Sequence, residues 1–84
     1  ITREEMAVIL GKVYDFLGKS AGRGGIDRFT DKDAISEWAY VYVDKAATVG
    51  LISGMTYDTF VPQENATRAQ AASVIRRLLD QLDG

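Results

Sequence analysis

Two four-residue runs carry the chemistry of this sequence, Thr2-Arg3-Glu4-Glu5 and Thr67-Arg68-Ala69-Gln70. Each fits a capping box, in which the Thr hydroxyl accepts from the backbone N–H three residues on and Glu or Gln reaches back. That explains the Thr and the fourth residue, but not the Arg. At the first position inside a helix, the partial positive charge of the N-terminus disfavours a cation by up to ~1 kcal/mol. Both runs place one there. A guanidinium beside helix-terminal N–H groups makes a seat for a carboxylate, phosphate or other anion, because Arg offers a planar fork and the helix end offers donors. The alternative is that each Arg pairs with an acid such as Asp31, Asp33 or Asp58 and fastens loops. The two roles are compatible.

Trp38 reads first as a core aromatic. Its place near a helix start beside a glycine-rich loop also lets it offer its face to a sugar ring, with the indole N–H left to hydrogen-bond. Tyr40, Tyr42 and Tyr57 are further candidates of this kind. Most catalytic chemistry is excluded by composition. With no Cys and no His there are no thiolate nucleophiles, disulfides or His-dependent triads, and the commonest transition-metal ligand is missing. Asp31, Asp33 and Glu37 resemble part of a calcium loop, but its sixth position is Ser36 rather than Gly and its twelfth is Tyr42 rather than Glu. Gly22, Gly24 and Gly25 lack the spacing of a dinucleotide fingerprint. Asn65-Ala66-Thr67 is formally a glycosylation sequon, yet Thr67 is already explained as a cap.

Three helices must position these runs. Met6, Ile9, Leu10, Val13, Phe16 and Leu17 fall at the spacing of one helical face, so a helix is expected over about 2–17. Four glycines between Gly18 and Gly25 then make a regular element improbable, and 19–28 reads as a linker. A second helix is expected over about 36–49, capped by Ser36 or Asp33, stopped by Gly50, and burying Ala39, Tyr42 or Val43, and Ala46. Residues 51–65, with Gly54 and the only proline, Pro62, read as an ordered loop. The third helix, over about 67–82, places Ala71, Ile75, Leu78, Leu79 and Leu82 on one face.

The first and third helices look like copies. A shift of 65 residues lays Thr2-Arg3 on Thr67-Arg68, Ala7 on Ala72, Asp15 on Asp80 and Leu17 on Leu82, the mark of units that bury their faces against neighbours. The chain has 84 residues, 46% of them hydrophobic and 26% charged, with a net charge of −2. It is small for an independent core. It lacks the excess of Lys and Arg that nucleic acid requires and has no run long enough to insert in a membrane. It opens on Ile1 rather than Met, which leads us to expect a piece of a longer protein.

Phe29-Thr30-Asp31, Trp38-Ala39, Ala46, Gly50-Leu51-Ile52-Ser53-Gly54, Phe60, Pro62 and Thr67-Arg68-Ala69-Gln70, read in order, closely resemble an S-layer homology motif. Residues 29–84 hold one complete motif, and 1–18 resemble the closing helix of a preceding one. The resemblance implies an all-α fold of helix-loop-helix repeats forming part of a helical bundle. It also implies a secreted, non-enzymatic module at the bacterial cell surface, without cofactor or metal, that binds a secondary cell-wall polysaccharide, often pyruvylated. Carried over by motif, ligand binding falls to Arg68 and Arg3, with Asp31, Trp38, Ser53 and Gly54 as lining. The sequence departs from the family where Asp58-Thr59 follows Tyr57, because the usual glycine is missing and a different turn is implied. The family typically uses three repeats. One and a half leave apolar faces that need further repeats or a second copy of the chain, so exposed hydrophobic surface or self-association is expected. The competing reading is a structural or oligomerisation element whose arginines only fasten loops.

Overall fold

A computed structural model of the protein describes residues 1–19 and 21–83. Ser20, inside the expected linker, and Gly84, the last residue of the expected repeat, lie outside the described residues. Helix α1 runs Arg3–Phe16, α2 Glu37–Thr48 and α3 Arg68–Asp83, with 310 turns at Gly25–Arg28 and Lys32–Ala34. The described residues form no strand, only an isolated bridge between Thr2 and Asn65. The fold is all-α, and each helix lies within a residue or two of its expected span. The 310 turn at Gly25 begins at the edge of the glycine-rich stretch, where no regular element is expected, because Asp44 on α2 accepts from the N–H groups of Gly24 and Ile26.

The caps follow the sequence closely. Thr2 and Glu5 form the complete capping box on α1, and Thr67 and Gln70 make the same two bonds at the start of α3. Gly50, at φ 79, ends α2 in the left-handed conformation, while Gly50 N donates to Ala47 O and Leu51 N to Ala46 O, a Schellman closure. The start of α2 differs from expectation. Ser36 occupies the cap position but makes no side-chain cap bond. Instead, Glu4 reaches over from α1 and accepts from Ser36 N at 2.9 Å and Ser36 Oγ at 2.6 Å. A carboxylate from a neighbouring helix thus faces the positive end of α2, which is favourable for the macrodipole.

The core lies between α1, α2 and the loop 51–62. Ala39, Val43 and Ala46 turn inward as expected from α2, joined by Ala47, and they meet Ile26, Phe29, Leu51, Ile52 and Phe60. The face of α1 needs correction: Met6, Ala7, Leu10 and Tyr14 are buried, while Ile9 and Leu17 are exposed and Phe16 is 90% exposed. The apolar stripe of α1 is wider than one neighbour can cover, and α2 takes the side bearing the small Ala7 and Gly11, where the Tyr42 ring packs closely. The face of α3 also departs from expectation. Val74 is its one buried residue among those described, Ala71 and Leu78 are half-buried, and Ile75, Leu79 and Leu82 face solvent. Gln81 ties α3 down at its far end by accepting from Tyr14 Oη and donating to Val49 O. The expected exposed hydrophobic surface is present.

One consequence concerns acid. The Thr2 backbone N–H and then the Thr2 hydroxyl hold the Glu5 carboxyl below its ordinary pKa. A depressed carboxylate stabilises the fold above its unfolded pKa and loses that contribution as pH falls through the folded one. Gln70 does not titrate, so α3 carries an acid-independent version of the same cap. The Glu5→Gln variant should therefore match the wild type more closely as the pH drops from about 7 toward about 3, an outcome read from thermal midpoints of the two proteins across that range.

Candidate functional site

Arg3 stands at the first position of α1 and is only 3% exposed. Its Nε donates to Phe60 O at 2.7 Å, its Nη2 donates to Ser53 O at 2.6 Å, and the guanidinium lies 4.9 Å from the centre of the Phe60 ring. It therefore fastens the loop 51–62 to α1 through backbone carbonyls, whereas the sequence offered carboxylates for that role. Among the described residues no acid forms an ion pair with it. Burial pushes its pKa down, and the charges of Asp31 and Glu64 pull it back up; a guanidinium remains protonated under such conditions. The N–H groups at this helix end are not available as an anion seat either. Arg3 N donates to Glu64 O and Glu4 N to Pro62 O.

Asp31 grips the same loop from the other side. Its two oxygens accept from Phe60 N at 2.9 Å and Val61 N at 2.8 Å, and Val61 is held at φ 56, a left-handed conformation costly for a β-branched residue. The next residue is the buried Pro62. With Phe29 packed on Phe60 at 5.3 Å between ring centres, Asp31, Phe60 and Arg3 form one continuous clamp. Gly54 completes it, since any Cβ there would collide with the carbonyls of Thr56 and Thr59 and with the Phe29 ring.

Beside the clamp lies a groove of about 160 Å³ between the loop and α3, lined by Arg3, Ser53, Gly54, Gln70, Ser73 and Arg77, among others. Arg3 Nη1 makes no hydrogen bond among the described residues, and Arg3 contributes to the lining of this groove. Arg77 stands exposed at the rim and forms no ion pair among the described residues. Two guanidinium groups, the Ser73 hydroxyl and the Gln70 amide thus converge with no carboxylate in the lining. Such a surface suits a small anionic or polyhydroxylated group.

The structure brings Arg3, Ser53 and Gly54 together in this groove and leaves the other sequence candidates outside its lining. Arg68 is exposed at the start of α3, on a separate apolar groove. Asp31 stands behind the loop with both oxygens engaged. Trp38 is 59% exposed on α2, which corrects its reading as a core aromatic. The sequence did not single out Arg77 and Ser73. Their spacing from Gln70, three and then four residues, places all three along one side of α3, but without the loop's position nothing marked that side as a site.

A family model described as S-layer homology domain matches residues 28–72. The chain is 40% identical over 82 residues to an amylopullulanase of Thermoanaerobacterium thermosulfurigenes, covering 96% of this chain and 4% of that protein. It is 40% identical over 82 residues to the exoglucanase XynX of Acetivibrio thermocellus, covering 96% of this chain and 8% of that protein. A cellulosome-anchoring protein of Acetivibrio thermocellus is 36% identical over 83 residues, which is 98% of this chain and 18% of that protein. The chain thus spans a small fraction of the length of the relatives it matches. No solved structure gives a significant match.

The clamp's energetics are open to direct measurement. Arg3→Ala removes two charge-assisted hydrogen bonds from a buried site and should lower stability by about 3 kcal/mol. Ser53→Ala removes only a side chain that the clamp does not use and should stay within about 0.5 kcal/mol of wild type. Urea unfolding of both variants checks the pair.

Proposed function

The chain belongs to the S-layer homology domain family, and from that premise we propose that it holds its parent protein on the cell surface by taking an acidic wall polysaccharide into the groove between loop 51–62 and α3. The coarse role is cell-surface anchoring by a non-catalytic domain. The enzymes among its relatives are matched over only 4 to 8% of their length, so their catalytic names do not carry over. The observation that carries the finer reading is Arg3: a residue only 3% exposed, without a carboxylate partner among the described residues, in the lining of a groove that holds no acid. An anion there gains Coulomb energy from the guanidinium groups in the lining, and a carboxylate ketal on a sugar, such as pyruvate, has the size and charge for it.

On this reading, residues 1–18 are the closing helix of one unit, 19–28 the connection and 29–84 the next unit, and the groove lies at their junction. Arg3 forms the floor of the groove, Ser53 and Gly54 its loop wall, and Gln70, Ser73 and Arg77 its helical rim. The purely structural reading draws support from the two carbonyls that Arg3 already holds. A substitution at Arg3 cannot separate the readings because it also unfastens the loop. Arg77 can.

Cell-wall sediments prepared with and without their secondary polymer, and mixed with the chain, test the proposal. Wild type should sediment only with the polymer present, and Arg77→Ala should bind roughly tenfold more weakly with an unchanged melting midpoint. Arg76→Ala removes an equal charge one residue away, where it faces Asp80, and should bind as wild type does. Weakening on Arg68→Ala with Arg77→Ala unaffected would move the site to the start of α3. A folded wild type that never sediments would leave the structural reading.

A further inference from the structure

Tyr40 is among the rings that the sequence offers to a sugar, and it has no place in the polar groove beside Arg3. It lines a different cleft, of about 460 Å³, between the glycine-rich connection and the outer face of α2, together with Gly22, Arg23, Val41, Asp44 and Lys45 among others. That volume falls within the range of small-molecule sites. The connection forms a fixed wall. Gly24 N and Ile26 N donate to Asp44 Oδ1, and Gly25 N donates to Thr48 Oγ1. A Cβ on Gly25 would collide with the backbone of Ala47 and Thr48, and Gly24 takes φ 107, so glycine is what lets this stretch lie so close to α2. The residue that holds it there, Asp44, is itself part of the cleft.

The chemistry of this cleft differs from that of the polar groove. The groove holds two guanidinium groups and no carboxylate, whereas the cleft holds Asp44 with Arg23 and Lys45. Lys45 already pairs with both oxygens of Asp15, which leaves the charges of Arg23 and Asp44 to balance each other. A free anion therefore gains little here. Several polar atoms in the lining make no hydrogen bond among the described residues: Asp44 Oδ2, Tyr40 Oη and every donor of Arg23. An acid and a guanidinium side by side match the adjacent hydroxyls of a sugar ring, each of which both donates and accepts. Tyr40 and the exposed Val41 add the apolar surface on which the C–H face of such a ring rests. We propose that this cleft is a second binding site, for a neutral pyranose: Asp44 Oδ2 accepts from one hydroxyl, Arg23 donates to its neighbour, and Tyr40 with Val41 takes the ring face. A polysaccharide that offers acidic groups to the groove and neutral sugars to the cleft is then held at two points. The cleft's own chemistry carries this site, whatever the polar groove binds.

Nuclear magnetic resonance titration of the chain with the methyl glycosides of glucose, galactose and mannose, and with glucuronate, tests the site. At least one neutral glycoside should move the backbone amide signals of Gly22, Arg23, Val41 and Lys45 and leave those of Ser53, Gly54 and Ser73 in place. Arg23→Ala should weaken that binding about fivefold. Its melting midpoint should stay that of wild type, because Arg23 holds nothing among the described residues. Glucuronate, the same ring with a carboxylate, should bind the cleft no more tightly than the glucoside. The proposal is overturned if no neutral glycoside moves the cleft signals up to about 100 mM, far above the millimolar range of a weak site. It is equally overturned if Arg23→Ala binds as wild type does, if only Ser53, Gly54 and Ser73 respond, or if glucuronate is the tighter ligand of the cleft. Arg77→Ala lies outside the cleft, so its effect on wall sedimentation judges the proposed function and leaves these results standing.

Discussion

A single buried cation organises this small molecule. Arg3 is the first residue inside α1, and its guanidinium holds the carbonyls of Ser53 and Phe60 while its face lies against the Phe60 ring. The loop 51–62 has almost no regular hydrogen bonding of its own, so its shape depends on groups outside it. Asp31 supplies acceptors for the N–H groups of Phe60 and Val61, Arg3 supplies donors for the carbonyls, and Gly54 admits the close approach that both require. Charged groups suit this task because their hydrogen bonds to backbone are about twice as strong as neutral ones. The cost is a desolvated charge, lessened here by the field of Asp31 and Glu64.

The same arrangement gives the site its chemistry. A guanidinium that fastens the loop also puts a positive charge in the lining of the adjoining groove. That overlap explains why the sequence's two readings of the arginines, loop fastening and anion binding, do not exclude one another. The groove draws on three elements: Arg3 from α1, Ser53 and Gly54 from the loop 51–62, and Gln70, Ser73 and Arg77 from α3.

Glu4 and Ser36 extend the principle. An acid on α1 caps α2 across the interface, so the helices are joined by the needs of their ends as well as by apolar contact. At the start of α3, where no such partner stands among the described residues, Arg68, Ala69 and Ile75 are exposed. The high charge content on the outside of α3 and its exposed Ile75, Leu79 and Leu82 sit on one helix, which carries two faces and has a neighbour for only part of one.

The sequence by itself determined the helices, their caps, the Schellman stop at Gly50, the internal repeat and the family, because these depend on residues a few positions apart or on motif register. It also pointed to Arg3, Ser53 and Gly54 without showing that they meet. Tertiary structure alone decided which face of α1 is inside, since an apolar stripe from Met6 to Leu17 exceeds what one partner can cover. It decided that Trp38 faces out and that Arg3, though identical in local motif to Arg68, is buried while its copy is exposed. The reason is physical: a capping box and a helix period are local, whereas burial depends on what packs opposite, and here the same four-residue motif meets a loop at one end of the chain and solvent at the other.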